Sequence, residues 1–339
     1  MLLENLLAVT GGRLLNNPSI SRFDSIELDA SKVTHKALFI ARLQNGIDKA
    51  LSRGAYGIIT DDEDIIITDK EIAWIYVKNI KATLVKLLRL WLLDAPRDIF
   101  YIPTQVLEFL KTIQSNPSIV LLNGDDEHKS KQILCSLQNQ TIFCDDKIFL
   151  DHIGVKIVKP KTKKVDYKII DPRVFETSLI IDEIYYNRLP LIPTMTPFLI
   201  EAIGVLKYFQ YNYSIKTIEF TPSLEPTFVN SYCQKVDFGE SDRVLVFASS
   251  NLKYKHLKVF ENVKWIESKL IIPIKIKFYC DIKMSCFTWN LENELFEMVT
   301  KWVKKRGYTI IFAQNSKIFF EKLKRFNSNN RPILDQGLF

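Results

Sequence analysis

The chain has 339 residues, 47% of them hydrophobic and 12% aromatic, enough apolar matter to bury sizeable cores across two or three domains. Its formal charge of +7 comes from lysines scattered along an Ile/Lys/Asn-rich chain, which argues against a nucleic-acid partner and its concentrated basic footprint. No run reaches the roughly 18 to 20 uncharged apolar residues of a membrane span, since even Ala82 to Leu93 carries Lys86 and Arg89.

In chain order, Met1 to Ala8 reads as a short docking helix, and Glu4 and Asn5 inside it exclude a signal peptide. Ser25 to Leu28 and Ala37 to Ala41 read as strands, Gly46 to Arg53 as a helix and Tyr56 to Thr60 as a strand. Asp61-Asp62-Glu63-Asp64 offers carboxylates to a hard cation, but consecutive side chains splay apart, so a solvated turn is expected and no metal site. Ile65 to Thr68 and Ala73 to Val77 read as strands. Ile80 to Leu93 follows as a helix placing Leu84, Leu87, Leu88, Trp91 and Leu92 near one face.

Pro96 marks a boundary. Beyond it come a helix, Gln105 to Ile113, a strand, Ile119 to Leu122, and a helix, Lys129 to Leu137. Short β runs are expected at Thr141 to Cys144, Ile148 to Leu150, Val155 to Val158 and Leu179 to Ile181. Lys156, Lys159, Lys161, Lys163, Lys164 and Lys168 are read as protecting a pair of strands around Pro160. After the proline-spaced run Leu189 to Pro197, Thr196 should cap a helix with Pro197 at its first position. The rest alternates: strands at Thr217 to Phe220, Arg243 to Phe247, Leu270 to Ile274 and Tyr308 to Phe312, and helices at His256 to Asn262, Leu295 to Lys305 and Lys317 to Phe326. That alternation predicts a largely parallel, doubly wound sheet. Asn251 and Asn315 would then stand at its carboxyl edge, where such sheets bind ligands and where helices also need caps.

Between the strand ending at Leu122 and the helix at Lys129 lies Asn123-Gly124-Asp125-Asp126-Glu127-His128-Lys129-Ser130. It has the position of a phosphate-binding loop, which needs glycines, free N–H groups and a lysine. Gly124, Lys129 and Ser130 can be related to such a loop, but the spacing is one residue short and His128 stands at the second glycine. Asp125, Asp126 and Glu127 fill the cradle with negative charge. Like charges about 4 Å apart repel by roughly 4 kcal/mol at an effective dielectric of 20. A triphosphate is therefore opposed unless magnesium bridges it to the carboxylates.

The run Leu28-Asp29-Ala30-Ser31-Lys32-Val33, then Lys36-Ala37-Leu38-Phe39-Ile40-Ala41 and Gly54-Ala55-Tyr56-Gly57-Ile58-Ile59, resembles the amino-terminal domain of Mur ligases of the MurE and MurF type. The resemblance covers about residues 22 to 93 most closely. Those bacterial enzymes use ATP to join amino acids or a dipeptide to a UDP-linked muramyl peptide in peptidoglycan synthesis. The resemblance implies an α/β fold in three parts: a UDP-substrate-type domain over 1–93, a truncated central phosphate-loop-like domain over 94–190 and a Rossmann-like domain over 191–339. It places substrate-binding residues at Asp29, Ser31 and Lys32, and the ATP loop at Gly124, Lys129 and Ser130.

The departures bear on function. Ala30 and Ser31 replace the family's small polar and arginine residues, and Ala41-Arg42-Leu43-Gln44-Asn45 replaces its Gly- and His-containing loop. The expectation is a cytoplasmic, Mur-ligase-like pseudoenzyme of cell-wall synthesis, without ATP or another cofactor, that binds peptidoglycan-synthesis enzymes or a UDP-muramyl peptide. One alternative is an active ATP- and magnesium-dependent amide ligase using Lys129 and Ser130, and another is a small-ligand-binding regulator. His35, His128, His152 and His256 are dispersed and form no catalytic set. Cys135, Cys144, Cys233, Cys280 and Cys286 form no C-x-x-C pair, which points to a reducing compartment and no structural zinc.

Overall fold

The computed structural model describes residues 1–41, 46–261, 263, 266–276 and 284–329. The chain divides into two compact units, one of residues 1–102 and 116–160, the other of residues 103–115 and 161–339.

The first unit opens with α1 (Leu3–Thr10), β1 (Arg13–Leu14), β2 (Ser25–Glu27), β3 (Ala37–Ile40), α2 (Ile47–Ser52), β4 (Gly57–Thr60) and β5 (Ala73–Tyr76). They form a five-stranded sheet in the order β1-β5-β4-β3-β2, parallel except for β1. Every residue of β3 and β4 is buried, as expected where both faces of a parallel sheet are covered. Helix α3 (Ile80–Asp94) is capped by Asn79, whose side chain accepts from the Ala82 N–H at 3.0 Å. Ile80, Leu84 and Leu87 join the core of this sheet, whereas Leu88 and Leu92 join a second core. Trp91 packs on both, so the apolar face expected of α3 is one arc shared between two cores.

The second core belongs to β6 (Asp98–Tyr101), which is followed in the chain by α4 (Thr104–Ile113), β7 (Ile119–Leu121), α5 (Asp126–Leu134), β8 (Thr141–Cys144) and α6 (Lys147–His152). Its parallel strands run β6-β8-β7. Arg97 locks the entry to β6: it stacks 4.5 Å over the Trp91 ring and donates to Ser136 Oγ at 3.2 Å and Ser136 O at 3.1 Å.

In the second unit, β9 (Tyr167–Pro172), β10 (Thr177–Ile181) and β11 (Ile184–Leu189) make an antiparallel meander. After α7 (Thr196–Tyr208) come β12 (Leu224–Phe228), β13 (Arg243–Ala248), β14 (Ser268–Pro273), β15 (Ser285–Trp289), α8 (Glu292–Trp302), β16 (Gly307–Phe312) and α9 (Ser316–Asn329). The sheet runs β12-β13-β16-β14-β15, parallel except for β12. The molecule is a mixed α/β protein with several parallel-rich sheets.

A strap at Thr162 and Lys163 crosses α7 at the buried Gly204, whose carbonyl accepts from the Lys163 N–H at 3.0 Å. A Cβ on Gly204 would lie 2.8 Å from the Lys163 carbonyl oxygen. Helix propensity alone favours alanine by about 1 kcal/mol. Gly204→Ala is nonetheless expected to destabilise, by about 1 kcal/mol net in urea unfolding, because the strap's backbone must be pushed away.

Several expectations are corrected. Ile65 to Thr68 forms no strand: Ile65 and Ile67 pack on the core while Ile66 is 81% exposed, and β5 already has its outer neighbour in β1. Ile148 to Leu150 is helical because Asp146 caps α6 there, accepting from the Phe149 N–H at 3.0 Å. Val155 to Val158 is irregular, so its lysines guard no strand pair, and only Lys168 lies within a strand, β9. Thr217 to Phe220 is irregular too, and the antiparallel edge strand is β12. Tyr254–His256 and Lys258–Phe260 are short 3-10 turns where a helix was expected, with Asn262 outside the described residues. Thr196 does not cap α7, because the preceding 3-10 turn runs straight into the helix and leaves its buried hydroxyl without a hydrogen-bond partner among the described residues. Cys280 and Arg42 to Asn45 lie outside the described residues.

Candidate functional site

Helix α5 begins at Asp126, three residues before the expected Lys129. Asp125 is its N-cap, accepting from the His128 N–H at 2.9 Å, and Asp126 and Glu127 lie in its first turn. The acidic run is therefore a helix start: carboxylates there satisfy orphan N–H groups and offset the positive end of the helix dipole. An N-cap aspartate followed by first-turn acids is a readable signal for this boundary.

The residues expected to form a phosphate loop lie around that cap. Gly124 takes φ +82, and a Cβ there would come within 3.1 Å of the His128 side chain. The Asn123 N–H donates to Gln132 Oε1 at 3.0 Å. Lys129 is buried, with its Nζ 2.5 Å from Asp146 Oδ2 and 3.7 Å from Asp126 Oδ1. Ser130 is fully buried, and its hydroxyl donates to the Asp126 carbonyl at 2.6 Å. The N–H groups of Asn123 and His128, the ammonium of Lys129 and the hydroxyl of Ser130 are all engaged within the chain.

Burial disfavours the Lys129 charge, but the hydrogen bond and charge of Asp146 outweigh it and raise the lysine's pKa. Burial also works to raise Asp146, yet Lys129 and the Phe149 N–H hold its carboxyl below the usual range. Asp146 is the partner of Lys129 that sequence reading missed; the available signal was its place just past β8, at the carboxyl edge of the sheet. Cys144 is bracketed by the same groups, and burial pushes its thiol up to about 11, so it is no nucleophile at neutral pH.

The residues expected to bind substrate form a self-contained turn after β2. Asp29 Oδ1 accepts from the Ser31 N–H at 2.9 Å and the Ser31 hydroxyl at 2.6 Å, which holds the Asp29 carboxyl below its ordinary range. Lys32 donates its N–H to the Asp29 carbonyl at 2.9 Å, and its side chain is exposed. Burial pushes the Glu27 carboxyl upward, against the pull of Lys32 and of Lys131 on α5. A cavity of about 270 Å³, lined by Leu28, Ile40, Ile80, Glu127, His128 and Lys131, lies between this turn and the start of α5. Leu28, next to Asp29, and Glu127, His128 and Lys131, around Lys129, thus border one hollow that offers charges of both signs, but the six predicted residues themselves do not line it.

At the carboxyl edge of the last sheet, Asn315 Oδ1 accepts from the Ile318 N–H at 3.2 Å and caps α9. The Asn251 N–H donates to Ser249 Oγ at 3.2 Å. The Asn315 side chain thus serves its own loop, whereas the Asn251 side chain reaches out of its loop, with Nδ2 3.5 Å from Thr104 Oγ1 at the start of α4. Among the described residues, no group of three or more His, Cys, Asp or Glu side chains could hold a metal ion, and no helix is long and apolar enough to cross a membrane.

No protein-family model matches the chain, and no curated protein matches it by sequence. Among solved structures, the UDP-N-acetylmuramoylalanyl-D-glutamyl-2,6-diaminopimelate–D-alanyl-D-alanyl ligase of Acinetobacter baumannii is similar at a TM-score of 0.51 and 8% identity, over 97% of this chain and 98% of that one. A MurF structure from the same organism is similar at 0.51 and 8%, over 96% of this chain and 98% of that one. MurF from Thermotoga maritima, in complex with ADP, follows at 0.49 and 12%, over 89% and 98%. At such identity the likeness is one of fold, and the chain is a mixed α/β protein with a Mur-ligase-like fold.

Proposed function

We propose that this chain is a cytoplasmic Mur-ligase-like protein of bacterial peptidoglycan synthesis in which ATP-dependent ligase chemistry is lost or severely reduced. It acts as a binding or scaffold partner of cell-wall enzymes or of a UDP-muramyl peptide. The three-part arrangement, 1–93, 94–190 and 191–339, belongs to this reading. The observation that carries it is the engagement of Lys129 by Asp146, with Asp125 capping the helix end where phosphate would sit. Chain order gives independent support. If the family's phosphate loop is sought after the first strand of the central segment, it falls on Ile102-Pro103 between β6 and α4, with no glycine, no lysine and one N–H fewer. Neither place fits a magnesium–triphosphate.

Isothermal titration of the full chain with ATP and magnesium is the test. The expected result is no heat of binding at micromolar nucleotide. Binding in that range, accompanied by ADP release in the presence of a UDP-muramyl peptide and an amino acid or dipeptide, sinks the proposal.

A further inference from the structure

The turns that precede β2, β3 and β4 border a cavity of about 520 Å³ at the amino edge of the first sheet, away from the Asp29 turn. Ser19, Ser21, Arg22, Asp24, Lys36 and Tyr56 line it. Lys36 is the unusual member. It is the third residue of a turn closed by the Ala37 N–H on the Thr34 carbonyl at 3.1 Å, and it holds φ at +66. That position favours glycine or asparagine. The conformation is fixed from both sides: the Lys36 N–H donates to the Gly54 carbonyl at 3.2 Å, and its carbonyl accepts from the Asp24 N–H at 3.0 Å. Backbone strain held in place by its surroundings is a reason to ask what the side chain does.

The donors around the cavity are of one kind. Arg22 is only loosely matched by Asp24, at 3.6 Å and with the two side chains 73% and 52% exposed. The Tyr56 hydroxyl lies 3.0 Å from His35 Nε2, and the His35 ring packs edge-on against the tyrosine at 4.7 Å, which fixes the phenol in orientation. Ser19 leans on the Glu71 carbonyl at 3.3 Å. An ammonium, a guanidinium and hydroxyls brought to one cavity by different turns suit an anion with several oxygens and more than one charge.

We propose that this amino-edge cavity binds the phosphate group of a small phosphorylated molecule, with Lys36 and Arg22 meeting its charge and Ser21 and Tyr56 donating to its oxygens. The volume exceeds that of a bare phosphate and is within the range of small-ligand sites. The site shares no residue with the Gly124–Ser130 loop, and it stands whether or not nucleotide binds there.

Pyrophosphate, titrated without metal into the isotopically labelled full chain at constant ionic strength, is the probe. Saturable amide shifts are expected in residues 19–24, 34–37 and 54–57, and acetate at matched ionic strength should give none. Lys36→Gly should weaken binding by about tenfold, the loss of one charge-assisted contact, while its melting temperature holds or rises because glycine suits the turn. Lys36→Arg should keep the affinity within about threefold. Equal affinity in Lys36→Gly, equal shifts with acetate, or no saturable shift up to about 10 mM pyrophosphate overturns the proposal.

Discussion

Lys129→Met is expected to lower the stability of the chain by about 1–3 kcal/mol and to leave nucleotide binding unchanged. The lysine side chain is 8% exposed and that of Asp146 is 32%, so the pair is half shielded from water. Removing a buried partner strands the other charge, at about 3–5 kcal/mol for a fully buried pair, and the exposure of Asp146 reduces that figure. The methionine keeps the packing against Phe149, over whose ring the ammonium now lies at 5.2 Å, so the loss reports the charge. Asp146→Asn should cost less, because it keeps the cap oxygen for the Phe149 N–H, and the double variant should cost clearly less than the sum of the two singles. Urea unfolding of the four proteins reads this directly. A lysine serving phosphate would behave oppositely, with unchanged stability and lost nucleotide affinity.

The pH dependence has a defined sign. Asp146 is depressed, so its contribution is present above the unfolded carboxylate value, about 3.9, and is lost as pH falls through its lower folded value. Lys129 is raised, so its contribution is complete below about 10.4 and is lost as pH rises through its higher folded value. The gap between wild type and Lys129→Met should therefore be flat from about pH 5 to 9 and shrink at both ends. A gap that varies across the neutral range places the effect on another group.

The parts of the fold legible in the sequence are those where burial writes a strong pattern. The strands at Ala37, Gly57, Ala73 and Arg243 and the helix at Ile80 stand out because their residues are apolar in unbroken or periodic runs. The missed strands lack that imprint. Nearly every residue of β9 is exposed, and the β10–β11 hairpin turns on Asp182 and Glu183, both with positive φ and without the glycine that usually announces such a turn. β12 contains Pro226, which reads as a strand breaker but is tolerated at an edge. Within the candidate site, Gly124, Lys129 and Ser130 were visible as residue types, but their role turns on Asp146, which lies 17 residues beyond Lys129 and meets it only once β8 and α6 are folded. A motif records which donors are present; it does not record that the chain has already used them.

Gly57→Val is expected to destabilise the first unit by about 3 kcal/mol, the other large effect. The strand β4 is internal, with Gly57 paired to Leu38 on one side and Ala73 on the other, so its backbone cannot retreat. A Cβ there would lie 2.6 Å from the Phe23 ring and 2.9 Å from Leu38 Cδ1, and both side chains are almost completely buried. Strand propensity favours valine by at most about 1 kcal/mol, which the clash exceeds, so the sign is set by packing. Gly54 in the same Gly-Ala-Tyr-Gly run has a different reason, its φ of +87. One glycine is therefore conformational and the other steric, and they should respond differently. Shrinking the neighbour, as in Gly57→Ala with Phe23→Leu, should recover part of the loss of Gly57→Ala alone, whereas Phe23→Leu should do nothing for Gly54→Ala. Thermal melts of the singles and doubles decide it: with no rescue at position 57, the ring of Phe23 is not what makes glycine necessary there.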